Sequence, residues 1–513
     1  MIGAMDQPSQ TFGAPHPPTR PLPPPPTPVP TTDPGSKGAA RLAWLVLLVV
    51  LPLVVVMQQM KAHDVAEIDG SKIAAPAGDS VEVSARMGAR MAYWMPSAAP
   101  NFMVQIDQAV ETPLQRFRAA LAAGELDGPD EAAARLGEVI EELTADRQRD
   151  DDAPNENKLA RKAQLLADAE VLLPYYQGIA ESEDTVEPLD GTTLEGLKKR
   201  HGFFADLAHV ARLPQDHEAR KTLLDGVEVP FAVMGLLMVV MGGTVLAGLG
   251  LGITAIVLIV GKRVRVTMDR PAPGGSVYLE TAVLFVVGFA LLQVAQVGAS
   301  MIGEKAETVA GMLALPAQWL LLLVPLWPLA RGVSWGQIRD DLGLRAPKGL
   351  IAEAFMGTVG YLALLPILLA GIGVMLVLLI LQETLFPAEA GDLAPANPVL
   401  EMVRELDPVV MVLFFTLATI WAPLCEELIF RGAFFRHLRS RLAMPLAAIL
   451  SALVFGMMHG YAGVQLIPVM IIGFNFALIR AWRGSLYGCI VGHALNNAVV
   501  LSLLFAFAHV LYG

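Results

Sequence analysis

The sequence predicts an all-α fold: a polytopic membrane helix bundle of about nine spans, interrupted by an inserted soluble helical segment. Three observations predict it. Of the 513 residues, 54% are hydrophobic and only 17% are charged, against about 25% charged in soluble globular proteins. Apolar runs recur from Leu42 to the C-terminal end, several of them at or above the ~20 residues a bilayer crossing requires. The formal net charge of −12 is uneven, because residues 58–229 hold 18 Lys+Arg against 32 Asp+Glu and the rest sums to +2. This acidic balance argues against a nucleic-acid partner, which favours a basic face. Cys425 and Cys489 both lie in apolar runs, so there is no disulfide framework and no cysteine-built zinc site.

Residues 1–40 carry eleven prolines between Pro15 and Pro34, a composition that builds no core and predicts a disordered or polyproline II cytoplasmic tail. Residues 41–57 follow as a transmembrane anchor. Leu42 to Met57 is unbroken apolar sequence behind Arg41. The long proline-rich leader and the missing A-x-A site argue for a retained anchor over a cleaved signal.

Residues 58–229 read as acidic, extracytoplasmic and helical. Leu136, Val139, Ile140 and Leu143 recur at helical spacing, and Leu165, Leu166, Ala169 and Leu172 do so more loosely. Asp127-Gly128-Pro129 supplies a helix start. A third amphipathic run carries Leu194, Leu197, Phe204 and Leu207. No repeat is visible, and the segment reads equally as a spacer or as a docking module.

Residues 230–407 are read as transmembrane helices flanking a core at 408–509. The predicted spans after the anchor are 231–261, 281–303, 309–331, 351–381, 408–430, 444–462, 464–480 and 485–509. Gly248 and Gly252 form a G-x-x-x-G pair that permits close helix approach. With a cytoplasmic N-terminus, the inside loops carry fourteen Lys and Arg, from Lys262 to Arg483 and including Arg431, Arg436 and Arg439. The outside loops carry Lys305 and Arg404. That asymmetry follows the positive-inside rule and predicts a multi-pass protein of the cell membrane with residues 58–229 outside.

Ionisable groups within a bilayer cost ~2.5–3.5 kcal/mol each on insertion scales and mark cavities or pathways. The stretch from Trp421 to Gly432 holds Glu426, Glu427 and Arg431. Glu427 and Arg431 are four apart with the acid first, the spacing for pairing along one helix face. Glu426 then points about 100° away, unpaired, and Pro423 loosens the preceding turn. A plainer reading makes both acids a cap at the cytoplasmic end of a span. Against it stand His459, four residues after Phe455 in the next predicted span, and His493 with Asn497 on one face of the last.

A free carboxylate and an imidazole together polarise a water for attack on an amide carbonyl, and His493 and Asn497 offer donors to the oxyanion. No H-E-x-x-H occurs. Zinc held by Glu426, His459 and His493 stays open as a His₂Glu set, but it leaves only the Arg-paired Glu427 as base. A thiolate nucleophile can be drawn at Cys489 or Cys425, though burial in apolar surroundings makes a thiol inert.

Glu426, Glu427 and Arg431 (E-E-x-x-x-R), Phe455 and His459 (F-x-x-x-H), and His493 and Asn497 (H-x-x-x-N) resemble the motifs of the CPBP family of intramembrane proteases. That family includes the type II CAAX prenyl endopeptidases and lysostaphin-resistance-protein-A-like proteins. The resemblance covers roughly residues 408–505. It implies a glutamate-dependent endopeptidase, glutamic or metallo-type, acting inside the bilayer on a membrane-associated or lipidated protein or peptide. Its catalytic residues fall on Glu426, His459, His493 and Asn497, supported by Glu427, Arg431 and Phe455. A non-catalytic membrane scaffold or immunity protein and a transporter are the competing readings, the last because such Glu/His/Arg sets also serve proton relays.

Overall fold

The computed structural model describes residues 33–67, 80–149, 156–181, 188–226, 228–385, 408–461 and 463–512. The predicted tail up to residue 32 and the loop residue Arg404 lie outside them. The described residues form helices and no strand, as expected of lipid-embedded backbone that must satisfy its own hydrogen bonds.

Among the described residues, eight helical segments are long and apolar enough to cross a membrane. The first is the opening part, Lys37–Gln59, of helix α1 (Lys37–Glu67). It buries Ala43, Leu47, Leu51 and Val54 along one stripe and leaves Leu42, Leu45, Leu48 and Val49 exposed, the division expected of a helix packed on one side and lipid-facing on the other. Eight short or medium helices follow: α2 (Ser80–Trp94), α3 (Ala99–Gln108), α4 (Pro113–Leu126), α5 (Pro129–Arg149), α6 (Glu156–Glu181), α7 (Gly191–His201), α8 (Phe203–Ala211) and α9 (Glu218–Leu224). They share a core of their own that includes Leu136, Val139, Leu143, Leu172, Leu197, Phe204 and Leu207. The amphipathic run around Leu197 and Phe204 is two helices, because Gly202 adopts φ +52° and turns the chain between them. Thr112 and Gln115 close a capping box on α4, which satisfies two donors the helix end leaves orphaned.

The membrane bundle resumes with α10 (Glu228–Val260), α11 (Val277–Ile302), α12 (Glu304–Trp319), α13 (Trp327–Ala330), α14 (Trp335–Leu342) and α15 (Leu350–Leu385). The G-x-x-x-G pair is used as its pattern suggests. A Cβ on Gly248 would lie 2.5 Å from Leu362 O, and one on Gly252 2.9 Å from Ala363 O, so α10 and α15 approach backbone to backbone. Next comes a continuous rod, α16, running from Pro408 through Arg439. It contains Arg431, Arg436 and Arg439, so these arginines belong to helix rather than to a loop. Arg431 is fully buried.

The predicted span 444–462 differs most from expectation. Its helix, α17 (Met444–Met457), has 14 residues, about 21 Å at 1.5 Å per residue, short of the ~30 Å hydrocarbon core. It therefore stops within the thickness that its neighbours α18 (Leu466–Arg483) and α19 (Tyr487–Tyr512) are long enough to cross. A non-helical turn at that depth is tolerated where protein surrounds it.

Long-range contacts join the two ends of the chain. Arg436 Nη2 donates to Asp33 Oδ1 at 2.6 Å and pairs with Asp341 at 2.9 Å. The amides of Ser276 and Val277, at the start of α11, donate to Pro34 O. At the far end of the span in α1, Gln58 Nε2 donates to Met458 O at 3.0 Å. The acidic helices rest on the bundle through α2, which packs on α19, and through Trp94 stacked on Phe231 of α10 at 6.3 Å.

Candidate active site

The rod α16 is not uniformly α-helical. Pro408–Thr416 is α-helix, Leu417–Trp421 is a π turn, Ala422–Glu426 returns to α, Glu427–Phe434 is π again, and Phe435–Arg439 is α. The Ala422 amide donates five residues back to Leu417 O, and the Phe435 amide donates to Phe430 O. Such i→i+5 segments are rare and concentrate at functional sites.

The first π turn has a local cause and a consequence. In its register the donor for Ala418 O is residue 423, a proline without an N–H. Asn497 of α19 fills that gap, Nδ2 donating to Ala418 O at 2.8 Å. Asn497 Oδ1 accepts from Asn496 Nδ2 at 3.1 Å, and Asn496 Oδ1 accepts from Tyr361 Oη at 3.1 Å. Asn496 and Tyr361 were not legible as site residues. Only the doubled asparagine in an apolar helix hinted at the former.

Glu427 is completely buried. Its Oε1 accepts from Arg431 Nη1 at 2.9 Å, the pairing that the spacing predicts, and from His493 Nδ1 at 2.9 Å. Arg431 is fixed further by donating through Nη2 to Gly473 O at 3.0 Å and by lying 4.1 Å from the Phe455 ring centroid. Gly473 is needed there, since a Cβ would lie 3.0 Å from Phe455 and 3.1 Å from Arg431 Nη2. Phe476 stacks on His493 at 5.2 Å and fixes its ring plane.

The neighbouring Glu426 faces His459. Its Oε2 is buried without a hydrogen-bond partner and lies 3.8 Å from His459 Nε2. His459 Nδ1 donates to Phe455 O at 2.7 Å. A carbonyl only accepts, so Nδ1 carries the hydrogen and a neutral ring presents Nε2 as a lone pair. Two acceptors thus face each other at a separation too long for a direct bond.

The structure accordingly forms two clusters on adjacent residues of one rod. Glu427, Arg431 and His493 are bonded together. Glu426 and His459 face one another, and Asn497 bonds the π turn. Glu426, His459 and His493 do not come together as a metal set: among the described residues no three His, Cys, Asp or Glu side chains are placed to hold an ion. Cys425 and Cys489 are both buried, and the Cys489 Sγ–H donates to Phe476 O at 3.3 Å.

Residues 408–499 match a family model described as type II CAAX prenyl endopeptidase Rce1-like. An uncharacterized protein of Mycoplasma capricolum subsp. capricolum is 35% identical over 99 residues, 19% of this chain. The chain spans 29% of the length of that curated relative. No solved structure matches this chain.

Proposed function

From a C-terminal segment, residues 408–499, that belongs to the CPBP family with its Rce1-like CAAX endopeptidases, we propose that this membrane protein is an intramembrane endopeptidase. It hydrolyses peptide bonds of membrane-associated or lipidated polypeptides. The observation that carries this reading is the buried, unpartnered Oε2 of Glu426 facing the bare Nε2 of His459 at 3.8 Å. A water seated between two acceptors donates a hydrogen bond to each and turns its own lone pair outward, the requirement for attack on a carbonyl. The water oxygen bonds to the carbonyl carbon, its proton passes to the Glu426–His459 pair, and the same pair returns a proton to the departing amine.

Glu427 does different work. Clamped between Arg431 and His493, it aims the His493 ring. In the neutral ring, Nδ1 holds the hydrogen facing Glu427 and Nε2 has none to offer. The second N–H of Asn497 Nδ2 is then the donor for the oxyanion, and His493 joins it only when doubly protonated. With the N-terminus in the cytoplasm, as the basic loops predict, the insert lies on the opposite side from the arginine-rich base of α16.

Comparing protein N-termini in cells carrying the wild type or Glu426→Gln tests this. New N-termini should vanish in the variant while its abundance and membrane insertion hold. An unchanged set of N-termini overturns the assignment.

A further inference from the structure

We propose that helix α1, through Gln58 and Gln59 at the end of its membrane span, holds the turn that carries His459, the two glutamines acting as positioning residues. This rests on the endopeptidase reading above but concerns a helix far outside the 408–499 segment. His459 sits where regular structure has run out. Helix α17 ends at Met457, Gly460 adopts φ +75°, and Gly463 adopts φ +55°. The turn supplies little of its own stiffness, since the carbonyls beside the histidine lie beyond the last helical residue.

Two side chains from α1 hold those carbonyls. Gln58 Nε2 donates to Met458 O at 3.0 Å, and Gln59 Nε2 donates to Gly460 O. The two acceptors are the residues immediately before and after His459, so the ring is straddled. Consecutive residues on a helix diverge by about 100°, which is how neighbouring glutamines reach both sides of one turn. The fit is close: a Cβ on Gly460 would lie 3.4 Å from Gln58 Cβ. The ordinary alternative, polar residues at the water-facing end of a span, leaves these amides solvated. Here both side chains are half-buried and spend their donors on the turn. His459 Nδ1 is already tied to Phe455 O. The brace therefore fixes the backbone, the Phe455 bond fixes the ring, and together they set where Nε2 points at Glu426.

The test uses the full chain in lipid nanodiscs, as wild type and as Gln58→Leu with Gln59→Leu. A second pair, Gln58→Asn with Gln59→Asn, keeps the amide polarity but withdraws it by one methylene, in case the leucine pair fails to fold. Ring resonances of labelled histidine, with His459 identified by their loss in His459→Gln, should move or broaden at His459 and stay in place at His493. With a peptide spanning a cleavage site found from the Glu426→Gln comparison, kcat should fall about tenfold to hundredfold while KM stays within about twofold. Unmoved His459 resonances in a folded variant overturn the brace, whatever the activity does. Moved resonances in a protein whose wild type cleaves nothing uphold the brace and remove the endopeptidase reading instead.

Discussion

Among the described residues, a carboxylate held between an arginine and a histidine occurs twice, once in the acidic insert and once in the membrane bundle. In the insert, Asp168 accepts from Arg200 Nε at 2.7 Å and Nη2 at 2.6 Å, from His201 Nε2 at 3.0 Å and from Gln164 Nε2 at 3.0 Å. Both of its oxygens are used. Burial pushes this carboxyl upward, yet the hydrogen bonds from His201 and Arg200 hold it below the usual range. In the bundle, Glu427 takes Arg431 and His493 on the same oxygen and leaves Oε2 without a partner, as Glu426 does beside it. Similar side chains thus saturate the carboxylate in one place and leave one of its oxygens open in the other. A closed cluster fixes a fold, whereas an open one keeps capacity for something that arrives.

The largest effect that would sharpen this contrast is at Glu426. Changing it to Gln removes the proposed general base and should cost about 10³-fold in cleavage rate with thermal stability unchanged, a pairing of results that kinetics and melting on one preparation will read. Glu427→Gln should do the reverse in proportion. It strands the buried Arg431, and loss of one partner of a buried pair costs about 3–5 kcal/mol, visible as a lower melting temperature in detergent as well as lower activity.

Gly473→Ala is smaller, because it only crowds the arginine against Phe455. Overpacking of this kind costs about 1–3 kcal/mol, and the comparison breaks if the variant melts and cleaves as wild type does. Asp168→Asn should destabilise the insert by about 1–3 kcal/mol and leave the cleavage rate of folded protein unmoved. A parallel fall in rate would show that the insert's cluster is coupled to the site.

Glu125 gives the mildest test. Burial pushes it up to about 7 against the opposing charge of Arg220, which reaches only Oε1 and leaves Oε2 without a partner. Its folded pKa is thus above its unfolded one, so its contribution to stability is complete below about pH 4.5 and lost as pH rises through about 7. Between pH 5 and pH 8 the wild-type insert should lose melting temperature relative to Glu125→Gln, which removes this one contribution.

How far these clusters were legible depends on how local each contact is. Glu427 with Arg431 follows from four-residue spacing, and the bundle follows from apolar runs that lipid demands. The π register of α16 was hidden, since spacing arguments assume 3.6 residues per turn, and with it went the reason Asn497 turns to Ala418 O. Pro423 was visible, but its missing amide gains meaning only once a helix from elsewhere supplies the donor. The shortness of α17 was hidden for another reason. Met458, Tyr461 and Ala462 carry the predicted span on past His459 and Gly460, whereas in the structure the helix has ended at Met457 and Gly460 takes a positive φ. Gln58 and Gln59 gave no signal at all, because nothing in the sequence of a span's end says which turn four hundred positions away it will meet.

That separation has a consequence in time. The bond from Gln58 to Met458 closes across 400 positions and that from Arg436 to Asp33 across 403. Domains and helices emerge from synthesis N-terminal first, at ≈ 5–20 residues per second. The first helix to enter the membrane therefore waits on the order of 20–80 s for the turn it braces. Throughout that wait the half-made chain holds neither His459 nor His493, so the candidate site is assembled only after its brace is already in place.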